Sequence, residues 1–201
     1  MSFRTAASLQ DGFTLVELMI TLVIASVLMS IGAPSFNKMV RDNRMVAEAN
    51  SLRGVLSSAR SAAQTLRATV TLCRSEDGLT CSAGDWNVGY IAFMDTDQDG
   101  VLDDPDDADG EQILQRGQAP SALVAIDFSQ GANVLRFDRS GNTLGTSGTF
   151  TFCDMRGAKE ARGIVVSPVG ALRSARELGA GGDNSSDIID DHTGEDVSCN
   201  A

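Results

Sequence analysis

Asp95, Asp97, Asp99, Asp103 and Asp106 stand in the stretch DTDQDGVLDDPDD, with Gly100 directly after the third of them. Alternating carboxylates closed by glycine open a calcium loop: the glycine permits a sharp bend, and the carboxylates converge on a cation that takes about six to eight oxygens. The last ligand of such a loop is a bidentate glutamate. Here that position is Asp106, one carbon shorter and behind Pro105. The flanking segments read as strands, so a helix-loop-helix is excluded. Two readings stand: a calcium site at these aspartates, and a solvated acidic β-hairpin that holds no cofactor.

Positive charge gathers later, at Arg156, Lys159, Arg162, Arg173 and Arg176. Arginines in such number can contact phosphates, and the contacts add and are screened by salt. The chain as a whole opposes that use, since 27 acidic residues against 16 basic ones leave a net charge of −11. Catalytic constellations are missing. His192 is the only histidine and lies in a tail rich in glycine and acids; no Gly-x-Ser-x-Gly elbow and no phosphate loop is present. The sequence does not read as an enzyme.

Four cysteines, Cys73, Cys81, Cys153 and Cys199, form no C-x-x-C and have one histidine for company, which speaks against zinc. An even number behind an export-like segment indicates two disulfides and an oxidising compartment. Three pairings are possible, and the favoured one joins Cys73 to Cys81 and ties the tail through Cys153 and Cys199.

These groups need elements to position them. At 201 residues and 42% hydrophobic, the chain can bury one core beyond its apolar N-terminal segment. Low aromatic content (5%) and 20 glycines suit a turn-rich head with much β-structure. Leu18 to Asn37 is an uncharged stretch long enough to cross a bilayer as a helix. It does not read as an ordinary cleaved secretory signal: Arg4 is distant from the run, and Ser30-Ile31-Gly32-Ala33 puts a bulky residue where a small one is required. Glu17 sits at the mouth of this run, where an ionisable group needs a partner.

Past Pro34, apolar residues recur every three or four positions at Phe36, Met39, Val40, Val46, Ala49, Leu52, Leu56, Ala59, Ala63 and Leu66. One helix is therefore predicted from Phe13 to about Leu66, apolar first and amphipathic from residue 37, with Arg41, Arg44, Arg53 and Arg60 on a solvated face. Short strands separated by turn signals are predicted at Thr69–Cys73, Val88–Met94, Gln112–Gln115, Leu123–Phe128, Val134–Phe137, Thr149–Phe152, Gly163–Val166 and Ala171–Ala175. Without βαβ alternation the sheet should be antiparallel, giving an α+β fold of one long helix on a β-sheet head. The tail from Gly179 to Asn200 has a disordered composition and depends on Cys199 for an anchor.

Gly12-Phe13-Thr14-Leu15-Val16-Glu17 resembles the class III signal of type IV pilins and of the pseudopilins of type II secretion. The resemblance implies that a prepilin peptidase removes residues 1–12 by cutting between Gly12 and Phe13 and N-methylates Phe13. It also implies that residues 13–36 form the transmembrane and polymerisation helix, with Pro34 where many pilins place a kinking proline, and residues 37–201 the head. Glu17 would then neutralise the new amine of a neighbouring subunit. Three head segments, TLCRSEDGLTC, the stretch from Asp85 to Gln115 and FCDMRGAKEARGIVVSPVGALRSAR, are similar to the FimT/FimU/GspH branch of minor pilins and pseudopilins. The Cys153-Asp154…Cys199 frame is closest to the FimU-like members of type IV pili.

What this implies is a minor pilin, made as a single-pass inner-membrane protein with a periplasmic head. It would assemble with other minor pilins and the major pilin at a pilus tip. The alternatives are a type II secretion pseudopilin and a minor pilin that binds DNA for transformation. For DNA, the FimT-like motif is Gly-Arg-x-Arg, whereas here Gly170 is followed by Ala171, with Arg173 and Arg176 beyond.

Overall fold

The computed structural model describes residues 13–103, 110–129, 133–175, 189 and 191–199. Helix α1 spans Leu15–Leu66 and is followed by eight strands: β1 (Val70–Arg74), β2 (Tyr90–Met94), β3 (Ile113–Gly117), β4 (Ala125–Phe128), β5 (Val134–Phe137), β6 (Gly148–Cys153), β7 (Arg162–Val166) and β8 (Leu172–Ser174). The chain divides into two compact units, residues 1–42 and 43–201.

In the second unit α1 presents Met45, Ala49, Leu52, Leu56, Ala59 and Ala63 to the core. Their spacing alternates four and three, so they form one stripe along the helix. Met45 and Val55 extend the predicted stripe, while Val46 and Leu66, expected on it, are exposed. Each residue turns the helix by about 100°, which carries Val46 off the line that begins at Met45. The helix ends because Arg67 adopts a left-handed conformation (φ 54), the C′ geometry more often given to glycine.

The strands form two antiparallel sheets, in the order β3-β2-β1-β5 and β4-β6-β7-β8. Alternation assigns their faces. Val70 and Leu72 of β1, Leu135 and Phe137 of β5, Phe150 and Phe152 of β6, and Ile164 and Val166 of β7 join the helix stripe in one core. The opposite face of the first sheet has its own cluster of Cys73, Ile91 and Phe93, with Cys81, Leu102, Ile113 and Val134 packed against it. Burial on both faces explains why β1 has no exposed residue.

All eight predicted strands exist; β5 has the predicted bounds and the other seven have shifted ends. The predicted start at Val88 gives way to a 3-10 turn, Trp86–Val88, that inserts the Trp86 ring edge-on against Phe150 at a centroid distance of 5.0 Å. Gly89 follows at φ 108, and a Cβ there would stand 3.1 Å from the carbonyl oxygens of Ser75 and Gly117, so this turn requires glycine. Likewise β4 begins at Ala125 rather than Leu123, because the Val124 amide closes a turn on Ser121 O.

The arginines expected on a solvated helix face are partly engaged. Arg60 donates to Gly141 O and Val169 O, both at 2.9 Å, and Arg53 donates to Ser174 Oγ at 2.8 Å. Arg60 thus ties the helix to the loops around Gly141 and Val169, and Arg53 ties it to the last residue of β8. Gly170, the glycine compared above with the start of the FimT-like motif, is required by packing. Its φ is 69, and a Cβ would overlap the Gly141 carbonyl that Arg60 holds.

Candidate assembly helix and acidic loop

In the first unit the chain enters α1 through Thr14. Its Oγ1 accepts from the Glu17 amide at 3.2 Å, and its carbonyl accepts from the Leu18 amide at 3.1 Å. This is half of a capping box, T-x-x-E, and it satisfies one of the amides that a helix start leaves orphaned. Glu17 therefore lies in the first helical turn, where a carboxylate complements the helix dipole, and it is exposed. Gly12 and the rest of residues 1–12 lie outside the described residues.

The apolar run is lined by exposed side chains: Leu15, Val16, Leu18, Met19, Ile20, Leu22, Val23, Ile24, Val27, Leu28, Met29 and Ile31 are each more than half open. Three of its hydroxyl groups are internally satisfied. Thr21, Ser26 and Ser30 donate to Leu18 O, Val23 O and Val27 O at 2.9, 2.8 and 2.7 Å. Bonding back to the preceding turn removes the need for water, which hydrocarbon surroundings demand. By length and composition this helix can cross a membrane.

The acidic loop connects β2 to β3 at the edge of the first sheet. Asp95 follows the last residue of β2; its amide donates to Thr69 O, and it is fully buried. Its Oδ2 accepts from the Thr71 hydroxyl and lies 3.8 Å from Arg136 Nε. Thr71 and Arg136 are paired across β1 and β5, which puts all three on one face. The Arg136 guanidinium continues to Asp99 O at 2.8 Å, passing over Gly100, whose φ of 82 makes the bend. Exposed Asp97 and Asp99 accept from the amides of Asp99 and Val101. Asp106 lies outside the described residues.

Sequence reasoning missed Glu111. Fully buried at the foot of β3, it accepts from the Thr96 amide at 2.6 Å and the Asp103 amide at 3.1 Å, bridging both arms of the loop. Burial pushes its carboxyl above the ordinary glutamate range; the two amides pull the other way, and the charges of Asp95 and Asp103 add to the rise. Its signal was weak: a glutamate just before QIL reads as a solvated strand end. Two carboxylate groups gather here, Asp95 with Asp97 and Asp99, and Asp97 with Asp103 and Glu111. Among the described residues of this acidic hairpin, Asp95 and Glu111 are sealed from solvent.

Among the described residues, Arg156, Arg162 and Arg173 do not converge. Arg156 is held by Asp154 at 2.7 Å and by Glu160 at 3.5 Å, so its charge is spent within its own turn. Arg162 and Arg173 are exposed on β7 and β8, where the register pairs Arg173 with Val165 and Arg162 with Phe152. Alternation sends them to opposite faces of the sheet. Arg176 lies outside the described residues.

Cys73 is bonded to Cys81 and Cys153 to Cys199. The second bond draws Val197 and Ile189 onto Cys153 and Ala161, and it brings His192 to 3.3 Å from Ser129 Oγ. His192 therefore packs against the second sheet, its Nδ1 within reach of Ser129 Oγ, Thr149 Oγ1 and Asp191 Oδ2.

The family model for the type II transport protein GspH matches residues 48–170, more than half of the chain, and that for the prokaryotic N-terminal methylation motif matches residues 8–33. No curated protein matches the chain by sequence. Among solved structures, it is similar to the type IV minor pilin FimU of Pseudomonas aeruginosa, at 21% identity and a TM-score of 0.50 over 67% of this chain and 90% of that one. The minor pseudopilin EpsH from the type 2 secretion system of Vibrio cholerae is also similar, at 14% identity and a TM-score of 0.44 over 65% and 95%. At such identities a structural likeness speaks for the fold alone. With a methylation motif at the start of its helix and the family's match across its head, the chain belongs to the family of the type II transport protein GspH.

Proposed function

We propose that this protein is a minor pilin of a type IV pilus. It is inserted in the inner membrane as a prepilin, cut between Gly12 and Phe13 and methylated at Phe13. It then joins other minor pilins in a complex that primes the major pilin and stays at the tip. The observation that carries this reading is Glu17: a lone exposed carboxylate in the first turn of an otherwise uncharged, outward-facing apolar helix. Cleavage would create an ammonium at Phe13, and helices bundled side by side would bury both charges. At about 4 Å and an effective dielectric of about 20 the attraction is about 4 kcal/mol before desolvation, and removing one partner strands the other in apolar surroundings. Glu17 thereby sets the axial register of neighbouring subunits.

Replacing Glu17 by alanine is expected to leave the head folded and abolish incorporation into filaments, as read by immunoblot of sheared fibres. Normal incorporation would refute the register role. Mass spectrometry of the native N terminus should find methylated Phe13; a mature protein that retains residues 1–12 would refute the pathway. The family's description as a type II transport protein favours a second reading, a pseudopilin whose filament remains in the periplasm. The tail-locking Cys153–Cys199 frame, closest to FimU-like pilins, supports the pilus. A deletion strain separates them: lost surface pili with intact protein secretion supports the first, and the converse supports the second.

A further inference from the structure

We propose that the β2–β3 loop binds one calcium ion through Asp95, Asp97, Asp99, Asp103 and Glu111. This ligand set differs from the one the linear pattern suggests. Asp97 is the shared member of both carboxylate groups, and within each group the oxygens lie within 4.8 Å of one another. Two oxygens on opposite sides of a calcium ion stand about 5 Å apart, since each bond is about 2.3–2.6 Å, so the spacing within each group is that of oxygens around one ion. Glu111 provides what Asp106 lacks: the longer carboxylate, delivered from the return strand, with both oxygens directed at the two arms of the loop.

Proximity of acids would not by itself make a site. The independent observation is Asp95 Oδ1. Asp95 is fully buried, its Oδ1 has no hydrogen-bond partner among the described residues, and the same carboxylate belongs to the group with Asp97 and Asp99. A buried carboxylate oxygen without a donor is costly, and structures tolerate one where an ion or water completes it. The Thr71 hydroxyl donates to the other oxygen, from which Arg136 Nε stands 3.8 Å away. Arg136 meets this group at Asp95 and at Asp99 O, and a divalent ion would offset the remaining carboxylate charge of Asp97 and Asp99. Calcium fits better than magnesium because these ligands come from a bent loop and two strand ends, and magnesium demands a near-ideal octahedron and keeps its waters. The ion would fasten the loop to the sheet edge and make the stability of the head depend on external calcium. The inference rests on the head's geometry and is independent of which filament the protein serves.

The test is calorimetric titration of the full-length mature chain in nonionic detergent, depleted of metal, with calcium chloride and separately with magnesium chloride. One calcium per chain is expected, with a dissociation constant of about 0.1–1 mM, as in extracellular modules, and a melting midpoint that rises with calcium more than with equal magnesium. Asp97→Asn and Asp99→Asn alter exposed side chains, so both should fold; at least a tenfold loss of calcium affinity is expected for Asp97→Asn. Asp127→Asn, on β4 of the other sheet, should bind as the parent does. The inference is overturned if the folded parent shows neither heat nor a calcium-dependent midpoint. Unchanged affinity in folded Asp97→Asn, or an equal loss in Asp127→Asn, also overturns it.

Discussion

The segment from Phe13 to Met39 and the head from Met45 onward use the same apolar residue types to opposite ends. In the head, Leu52, Leu56, Leu72 and Leu135 are closed to water, whereas Leu15, Leu18, Leu22 and Leu28 in the first segment are each more than half open. The head completes its own core; the segment has an apolar surface far beyond what a soluble monomer exposes, which marks it for lipid or for other subunits. Stability and assembly thus reside in different stretches of the chain, and substitutions should separate them.

The largest effect expected in breaking that comparison is at Phe150, fully buried between Trp86 and Phe128. Phe150→Ala should destabilise the head by about 3–5 kcal/mol in chemical denaturation, while Leu22→Ala should change head stability by less than about 0.5 kcal/mol. A comparable loss from Leu22→Ala would show that the two regions are not energetically separate.

Next come the disulfides. The bond from Cys153 to Cys199 spans 46 residues and that from Cys73 to Cys81 spans 8. On chain entropy the longer loop contributes about 4 kcal/mol and the shorter about 2.5. Replacing each pair by serine and measuring denaturation midpoints tests that order. Reversal would mean that the short loop matters mainly through the packing of Cys73 against Ile91 and Phe93.

A smaller effect is expected in acid. The Leu79 and Thr80 amides hold the Asp77 carboxyl well below its ordinary range. For Asp138 burial pushes upward, but amides of Asn142, Ser140 and Gly141 and the Asn142 side chain outweigh it, leaving the net shift downward. A lowered folded value stabilises above the unfolded pKa of about 4 and is lost as pH falls through the folded value. The melting midpoint should therefore hold between about pH 5 and 7 as far as these groups contribute, and fall below about pH 4. Asp138→Asn should make that fall shallower and cost about 0.5–1 kcal/mol at neutral pH. Smallest of all, Arg53→Ala removes one exposed bond to Ser174 and should cost about 0.5 kcal/mol, near the limit of detection by denaturation.

Much of the fold was legible. The strands declared themselves because each is short, apolar and bracketed by turn residues, and the helix because its stripe repeats for several turns. Their ends were less legible. Val88 looks like a strand residue, but insertion of Trp86 and the left-handed Gly89 delay β2 to Tyr90. Arg60 reads as a solvated cation along the helix, yet loops distant in sequence bring two carbonyl oxygens to it. In the acidic loop Asp95 announced itself through its spacing to Asp97 and Asp99, while Glu111 belonged to no pattern.

By itself the sequence determined the periodicities and the terminal signal: which residues alternate, where a helix can run, and where an acid stands in an apolar stretch. These are local properties, set by the geometry of one turn or one pleat. Only the tertiary structure decided which carboxylates are sealed in, which arginines are already engaged and which oxygen lacks a donor. Those depend on the register of β1 with β2 and β5 and on the return of β3, and pairing between distant segments leaves no spacing in the chain that encodes it.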